Sequence, residues 1–476
     1  MATRVIEVPR HLRLVKSKRE ERTPAELAAR HSRMVLVLIG ATAALTALGL
    51  VMVLSASSVS SYAQYGSSFL FFKRQAVYAV VGIAAMILTS RMRYGVWQRL
   101  ALPVLALTTV LLLFVLRPGT GTVVGGSARW IALGPVTIQP SEIAKLAVIA
   151  FAATILTRKK DRIHRPMHLF LPLVPVVGFV CALILAQPDM GTTLLIAATV
   201  MVLVFLAGAR MRHLVFGTLA GGGLGLLLIM HSGYRRERWL SFLHPLADRT
   251  NAGYQLIQSL IALGSGGWFG VGLGMSRQKW MYVPNAHTDF IFSILGEELG
   301  LIGELVVLGL FAALLYAGIR VAVRAPDTFG RLLAGGIVAW LGLQTLVNLG
   351  AVTGLLPITG VPLPLVSFGG SSLVVTLAAV GILVSIGRAG AVPATVRATT
   401  RADARRTPKP KPRPPRPTKP RKKPAPASSA RRPVRTPQRK PPAKKTKTRT
   451  RTRTKTKAPA GTPVWGSANR SRTGRG

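Results

Sequence analysis

The sequence predicts an all-α polytopic membrane protein. It has about ten transmembrane helices, one large extracytoplasmic loop between helices 7 and 8, and a disordered basic C-terminal tail. Three observations lead there. The 476 residues are 49% hydrophobic yet carry a net charge of +47, from 62 Lys and Arg against 15 Asp and Glu. Such values do not coexist in one globular domain, so they imply a membrane body with soluble basic ends. Apolar runs near the roughly 20 residues that a bilayer core requires recur along the chain. Basic residues are also shared unevenly between alternate loops.

Taken in order, residues 1–33 carry Arg4, Arg10, Arg13, Lys16, Lys18, Arg19 and Arg22 and are expected to form a cytoplasmic tail. The first apolar run is long enough to span, and no cleaved signal is expected. A transmembrane domain follows over 34–388. Its spans are expected at 34–56, 75–92, 99–116, 141–157, 168–186, 191–209, 213–230, 290–318, 330–354 and 367–388. With the N-terminus inside, the short inner loops hold thirteen bases, from Arg91 to Arg331. The short outer loops hold only Lys73, Arg74, Arg117 and Arg129. The positive-inside bias therefore places both termini in the cytoplasm and loop 231–289 outside.

Residues 389–476 hold 28 Lys or Arg and one acidic residue, Asp403. Pro and Thr alternate with the bases, and too little apolar surface remains to fold. Such a tail suits the anionic inner leaflet or an acidic cytosolic partner. Aromatic interleaving is missing apart from Trp465, so nucleic-acid binding is not expected. A single cysteine, Cys181, lies in an apolar run, which excludes disulfides within the chain.

Four polar clusters fall on the outer side. The first is Arg129-Trp130, then Gln139-Pro140-Ser141-Glu142 and Lys145. Pro140 ends the loop, while Ser141 suits an N-cap and Glu142 a first turn. Capping does not explain Lys145, one turn into the membrane, whose burial needs a counter-ion or an anionic ligand. The second, Gln187-Pro188-Asp189-Met190-Gly191, has the composition of a tight turn. The third runs from Gly233-Tyr234-Arg235-Arg236-Glu237-Arg238 to Pro245, Asp248, Tyr254 and Gln255. Its arginine forks match phosphate oxygens, and equally lipid headgroups. The fourth spans Gly264 to Gly274, then Arg277, Gln278 and Lys279. No Gly-Lys-Ser/Thr and no strand–helix frame surround its glycines, so a tightly turning loop on the membrane surface is expected rather than a nucleotide site.

The outer loop ends in Val283-Pro284-Asn285-Ala286-His287-Thr288-Asp289-Phe290-Ile291-Phe292 and runs on to Gly296-Glu297-Glu298-Leu299-Gly300. Three of the 15 acidic residues lie within these ten positions, 289–298. A carboxylate where the chain re-enters the membrane costs free energy unless paired or hydrated, which marks Asp289 as functional. N-capping of the next helix is the plain alternative. No zinc spacing exists, and no nucleophile elbow surrounds any serine. One outward carboxylate, several outward cations and a hydrophobic body fit chemistry on an anionic, lipid-anchored substrate. They fit transport of one as well.

These motifs, in this order, resemble the SEDS family, which contains FtsW and RodA. The resemblance is carried by Gly49 to Ser57, Arg129-Trp130, Gln139 to Glu142 with Lys145, and Gln187 to Gly191. It continues in Gly233-Tyr234-Arg235, Arg238, Gln278-Lys279, Pro284 to Gly300, Gly360 to Pro364 and Ser367 to Ser372. The Met-Val-Leu-Ser-Ala-Ser run and the Pro-x-Ala-His-Thr-Asp-Phe-Ile-Phe form are more similar to the FtsW group. The resemblance implies a peptidoglycan glycosyltransferase that polymerises lipid II on the outer face of the bacterial cytoplasmic membrane, at the division septum. It implies a class B penicillin-binding protein as partner, among other division proteins. It places the catalytic aspartate at Asp289. The substrate-binding candidates are Arg129, Glu142, Lys145, Arg235, Arg238, Gln255, Lys279, His287 and Glu298. Asn285 departs from the glutamate that many members carry, which leaves Asp289 more isolated as a base. A lone carboxylate favours direct inversion over a covalent intermediate. No cofactor is established by the sequence; a divalent cation, Mg or Mn, is compatible with the chemistry. A lipid II flippase and a non-catalytic scaffold for the transpeptidase are the alternatives.

Overall fold

The computed structural model describes residues 24–391 except 120, 125–126, 135, 163–165, 232, 234–235, 237–238, 240–241, 244–251 and 285. The tail from 392 onward and residues 1–23 lie outside the described residues.

Ten helices take the ten expected places. They are α1 (Pro24–Tyr65), α2 (Leu70–Arg91), α3 (Val96–Leu116), α4 (Pro140–Arg158), α5 (Pro166–Ala186), α6 (Met190–Leu206) and α7 (Met211–Met230), followed, after the shorter α8 (Ala252–Ser265), by α9 (Ile291–Val323), α10 (Thr328–Val352) and α11 (Gly370–Ala391). Among the described residues, α1 to α4 and α9 to α11 are long and apolar enough to cross a membrane. α1 has 42 residues, about 63 Å at 1.5 Å per residue, so it runs well beyond the expected span 34–56. The bundle is built around α4 and α11, whose apolar windows are 83% buried; those of α2 and α3 are only 28% buried and face outward.

Three differences from the sequence expectation matter for the site. The loop before α4 is not irregular. It forms a three-stranded antiparallel sheet of β1 (Thr122–Val124), β2 (Ser127–Leu133) and β3 (Val136–Ile138), in the order β1-β2-β3. The Tyr78 hydroxyl of α2 accepts from the Thr137 amide at 2.7 Å and ties this sheet to the bundle. The expected span 290–318 is broken: Gly300 has φ 64° and ψ −170°, a conformation open in practice only to glycine. The buried segment 291–299 therefore ends before the outward-facing helix 301–323 begins. Ser141 is not an N-cap, because α4 already starts at Pro140 and Gln139 holds the cap position.

Residues 353–369, between α10 and α11, are neither helix nor strand, yet Val361 and Leu363 to Ser367 are buried. Irregular backbone inside a membrane protein must find its hydrogen-bond partners in the protein. Gln344 Nε2 donates to Pro362 O at 2.8 Å, and Asn348 Nδ2 to Val361 O at 2.8 Å. Ser367 Oγ accepts from Leu363 N at 2.9 Å. Gln75 donates to Ser367 O at 3.2 Å and accepts from Gly369 N at 3.4 Å. The loop presses so closely on α1 that a Cβ at Gly49 would lie 2.5 Å from Leu365 O.

Candidate active site

Among the described residues, polar groups from several of these clusters gather around this buried loop. They come from the C-terminal ends of α1, α3, α5 and α10 and the N-terminal ends of α2, α4, α6, α9 and α11. Alternating crossings bring those ends to one end of the bundle.

Asp289 is half-buried just before α9. The N-cap position of α9 is Phe290, with no side-chain cap, so Asp289 is not the capping residue. The Asp289 carbonyl accepts from Asn348 Nδ2 at 2.8 Å. The carboxylate lies beside Gly360, where a Cβ would come 3.5 Å from Oδ2. Gly360 is exposed, with φ 72°, so the carboxylate borders a bare edge of the loop. Two residues earlier, the His287 carbonyl accepts from Phe368 N at 2.9 Å. The His287 ring packs on Phe71 and Phe368, with centroids at 4.8 and 5.6 Å. Burial lowers its pKa to about 4, so the imidazole is neutral at neutral pH.

Glu297 and Glu298 lie on segment 291–299 and both face the glycine-rich loop. Glu297 accepts from Ser276 Oγ, from Arg277 N at 2.9 Å and from Gln278 N at 3.3 Å. Glu298 accepts from Ser55 Oγ at 2.6 Å and pairs with Lys279 at 3.5 Å. Lys279 is itself buried and also donates to Gly274 O. The loop backbone wraps the Gly300 break: Leu301 N donates to Gly267 O at 2.9 Å, and Val271 N to Glu297 O at 2.9 Å. The glycines make a tightly turning loop, as the sequence suggested, and the two glutamates hold its inner face. Its outer face exposes Trp268, Phe269, Trp280, Met281 and Tyr282.

Glu142 supplies the counter-ion that Lys145 needs. Lys145 Nζ lies 2.8 Å from Glu142 Oε2, donates to Gln344 Oε1 at 3.0 Å and sits 5.1 Å from the Trp340 ring centroid. Both charged side chains are buried. Arg129, on β2, donates from Nε to Gln187 O at 2.8 Å and from Nη2 to Pro188 O at 2.6 Å. Asp189 caps α6 by accepting from Thr192 N at 3.1 Å, which fits the turn reading. Gly191 packs this turn on the loop 353–369, since a Cβ there would lie 2.8 Å from Thr359 O. Gln255 of α8 donates to Pro284 O at 3.1 Å and steadies the approach to Asp289.

Arg235, Arg238 and Asn285 lie outside the described residues. Among the described residues, no three His, Cys, Asp or Glu side chains gather as a metal site. Glu142, Glu297 and Glu298 each receive protein donors. Sequence reasoning missed Gln75, Gln344 and Asn348, and named Ser55 only within the run Gly49 to Ser57. The two amides of α10 carried a signal: a lone amide in an apolar span needs a buried partner.

The profile of the FtsW/RodA/SpoVE family, described as cell cycle proteins, matches residues 35–391. The probable peptidoglycan glycosyltransferase FtsW of Geobacter metallireducens is 44% identical over 354 residues, covering 74% of this chain and 94% of that protein. Stage V sporulation protein E of Bacillus subtilis is 44% identical over 353 residues, covering 74% and 96%. A chain from a peptidoglycan synthase complex that coordinates polymerization and crosslinking superposes with a TM-score of 0.61 at 33% identity, covering 74% of this chain and 97% of that one. The rod shape determining protein RodA of Thermus thermophilus gives 0.55 at 31%, covering 74% and 95%. With a family match spanning residues 35–391 and relatives matched over nearly their whole length, this chain belongs to the FtsW/RodA/SpoVE family of cell cycle proteins.

Proposed function

We propose that this protein is a peptidoglycan glycosyltransferase that polymerises lipid II during cell division, in the bacterial cytoplasmic membrane with both termini inside. The observation that carries the mechanism is Asp289, its backbone carbonyl held by Asn348 of α10 and its carboxylate beside Gly360 of the buried loop.

Asp289 takes the proton from the 4-hydroxyl of the acceptor's N-acetylglucosamine. That oxygen attacks C1 of the donor's N-acetylmuramic acid. The C1–O bond breaks, and undecaprenyl pyrophosphate leaves with the electron pair. Configuration at C1 inverts. Arg129 has two of its N–H groups on carbonyls and others available to the pyrophosphate, together with Arg235 and Arg238. Lys145 and Lys279 contribute through the glutamates they pair with, not as unpartnered cations. A divalent cation taken up with the pyrophosphate would help neutralise it, and no step depends on one.

The similarity to a synthase complex supports a class B penicillin-binding protein as partner. FtsW-named relatives support a septal role. The basic tail pairs with anionic inner-leaflet lipids. The test is purified protein with its transpeptidase in liposomes and labelled lipid II. Glycan ladders support the reading. Labelled lipid that changes leaflet without forming ladders would replace it with a flippase, and neither outcome with a scaffold.

A further inference from the structure

We propose that Asn348 is a positioning residue for this reaction: it holds Asp289 and the bare edge at Gly360 in one fixed geometry. The proposal rests on the reading of Asp289 as the base.

Asn348 lies on α10, is 2% exposed and sits in an apolar helix. A buried amide there is costly unless its bonds are made. Its Nδ2 makes two, to carbonyls of separate segments: Asp289 O at 2.8 Å and Val361 O at 2.8 Å. Val361 follows Gly360, where a Cβ would lie 3.5 Å from Asp289 Oδ2. One NH₂ group thus ties together the two backbone segments that adjoin this carboxylate. Gln344, one turn away on the same face, pins Pro362 O in the same way. The second tether of the catalytic stretch, Phe368 N to His287 O, comes from the same buried loop. The Asn348 Oδ1 is buried with no hydrogen-bond partner. That arrangement is poor for stability alone. It fits a side chain kept for the two carbonyls its NH₂ group holds.

The experiment compares wild type, Asn348→Leu, Asn348→Gln, Asp289→Asn and the Asp289→Asn/Asn348→Leu double variant, each with the transpeptidase partner and labelled lipid II. Leu matches Asn in size but donates nothing. Displacing a reacting group by about 1 Å costs on the order of 100-fold. Asn348→Leu should therefore lower kcat about 10- to 100-fold with KM within about twofold, and Asn348→Gln, which keeps the NH₂ group, should recover part of the loss. The double variant should be no slower than Asp289→Asn, because Asn348 acts only through that carboxylate. Melting temperatures in detergent separate lost folding from lost chemistry. Should Asn348→Leu not fold, Asn348→Ala replaces it, since a methyl group cannot donate to either carbonyl. A wild-type kcat in a folded non-donating variant overturns the positioning role, and so does a loss that adds in full to that of Asp289→Asn. Wild-type turnover by Asp289→Asn would instead overturn the base assignment, and the positioning role with it.

Discussion

The buried pair Glu142–Lys145 gives the sharpest quantitative test, because the sequence left Lys145 a counter-ion or an anionic ligand and the structure gives it a carboxylate. The side chains are 3% and 2% exposed, and Nζ lies 2.8 Å from Oε2. At an effective dielectric near 20 that separation corresponds to roughly 6 kcal/mol of attraction, offset by several kcal/mol of desolvation for each ion. The intact pair is therefore close to neutral against an apolar replacement, whereas removing one partner strands a buried charge at about 3–5 kcal/mol. Lys145→Met and Glu142→Gln should each lower the melting temperature in detergent by roughly 5–15 °C. The double variant should melt above what the summed losses predict. Additive losses, or single losses under about 1 kcal/mol, would refute this account of the pair. Single variants that melt like wild type but make no polymer would return Lys145 to the substrate.

Gly300→Ala should prevent folding, since its φ of 64° and ψ of −170° suit glycine alone and its Cβ would meet Trp268 O at 2.7 Å. Gly309→Ala, with nothing within 4 Å, should express and melt normally. His287 titrates near 6.5 when unfolded and near 4 when buried. Its contribution to stability is complete above pH 6.5 and is lost as pH falls toward 4, by up to about 3 kcal/mol. His287→Phe, which keeps the ring stack, should flatten the melting temperature between pH 6.5 and 4; an unchanged acid limb would show that another group governs it.

The ten helices were legible because hydropathy reports apolar spans directly. Lys145 was recognised as needing a counter-ion, but Glu142, three residues earlier, was assigned to a first turn. Helical spacing brings the two together, and only packing shows that both are buried. The stretch 353–369 was opaque for a different reason. It is apolar like the spans beside it, but its Gly and Pro residues break any helical reading. What buries it is a set of distant amides, Gln75, Gln344 and Asn348, whose pairing no local pattern encodes. The bond from Ser55 to Glu298 crosses 243 positions and was invisible for the same reason. Asp289 was singled out because a carboxylate where the chain re-enters the membrane is conspicuous. Its setting against Gly360 and Asn348 was not visible.

The most direct test of the central claim is the rate of glycan-ladder formation by Asp289→Asn beside wild type, with partner binding and lipid II binding measured on the same samples. The account predicts intact binding and a loss of at least about 100-fold, the usual contribution of a general base. Equal ladders from both proteins would contradict it and remove Asp289 from the chemistry.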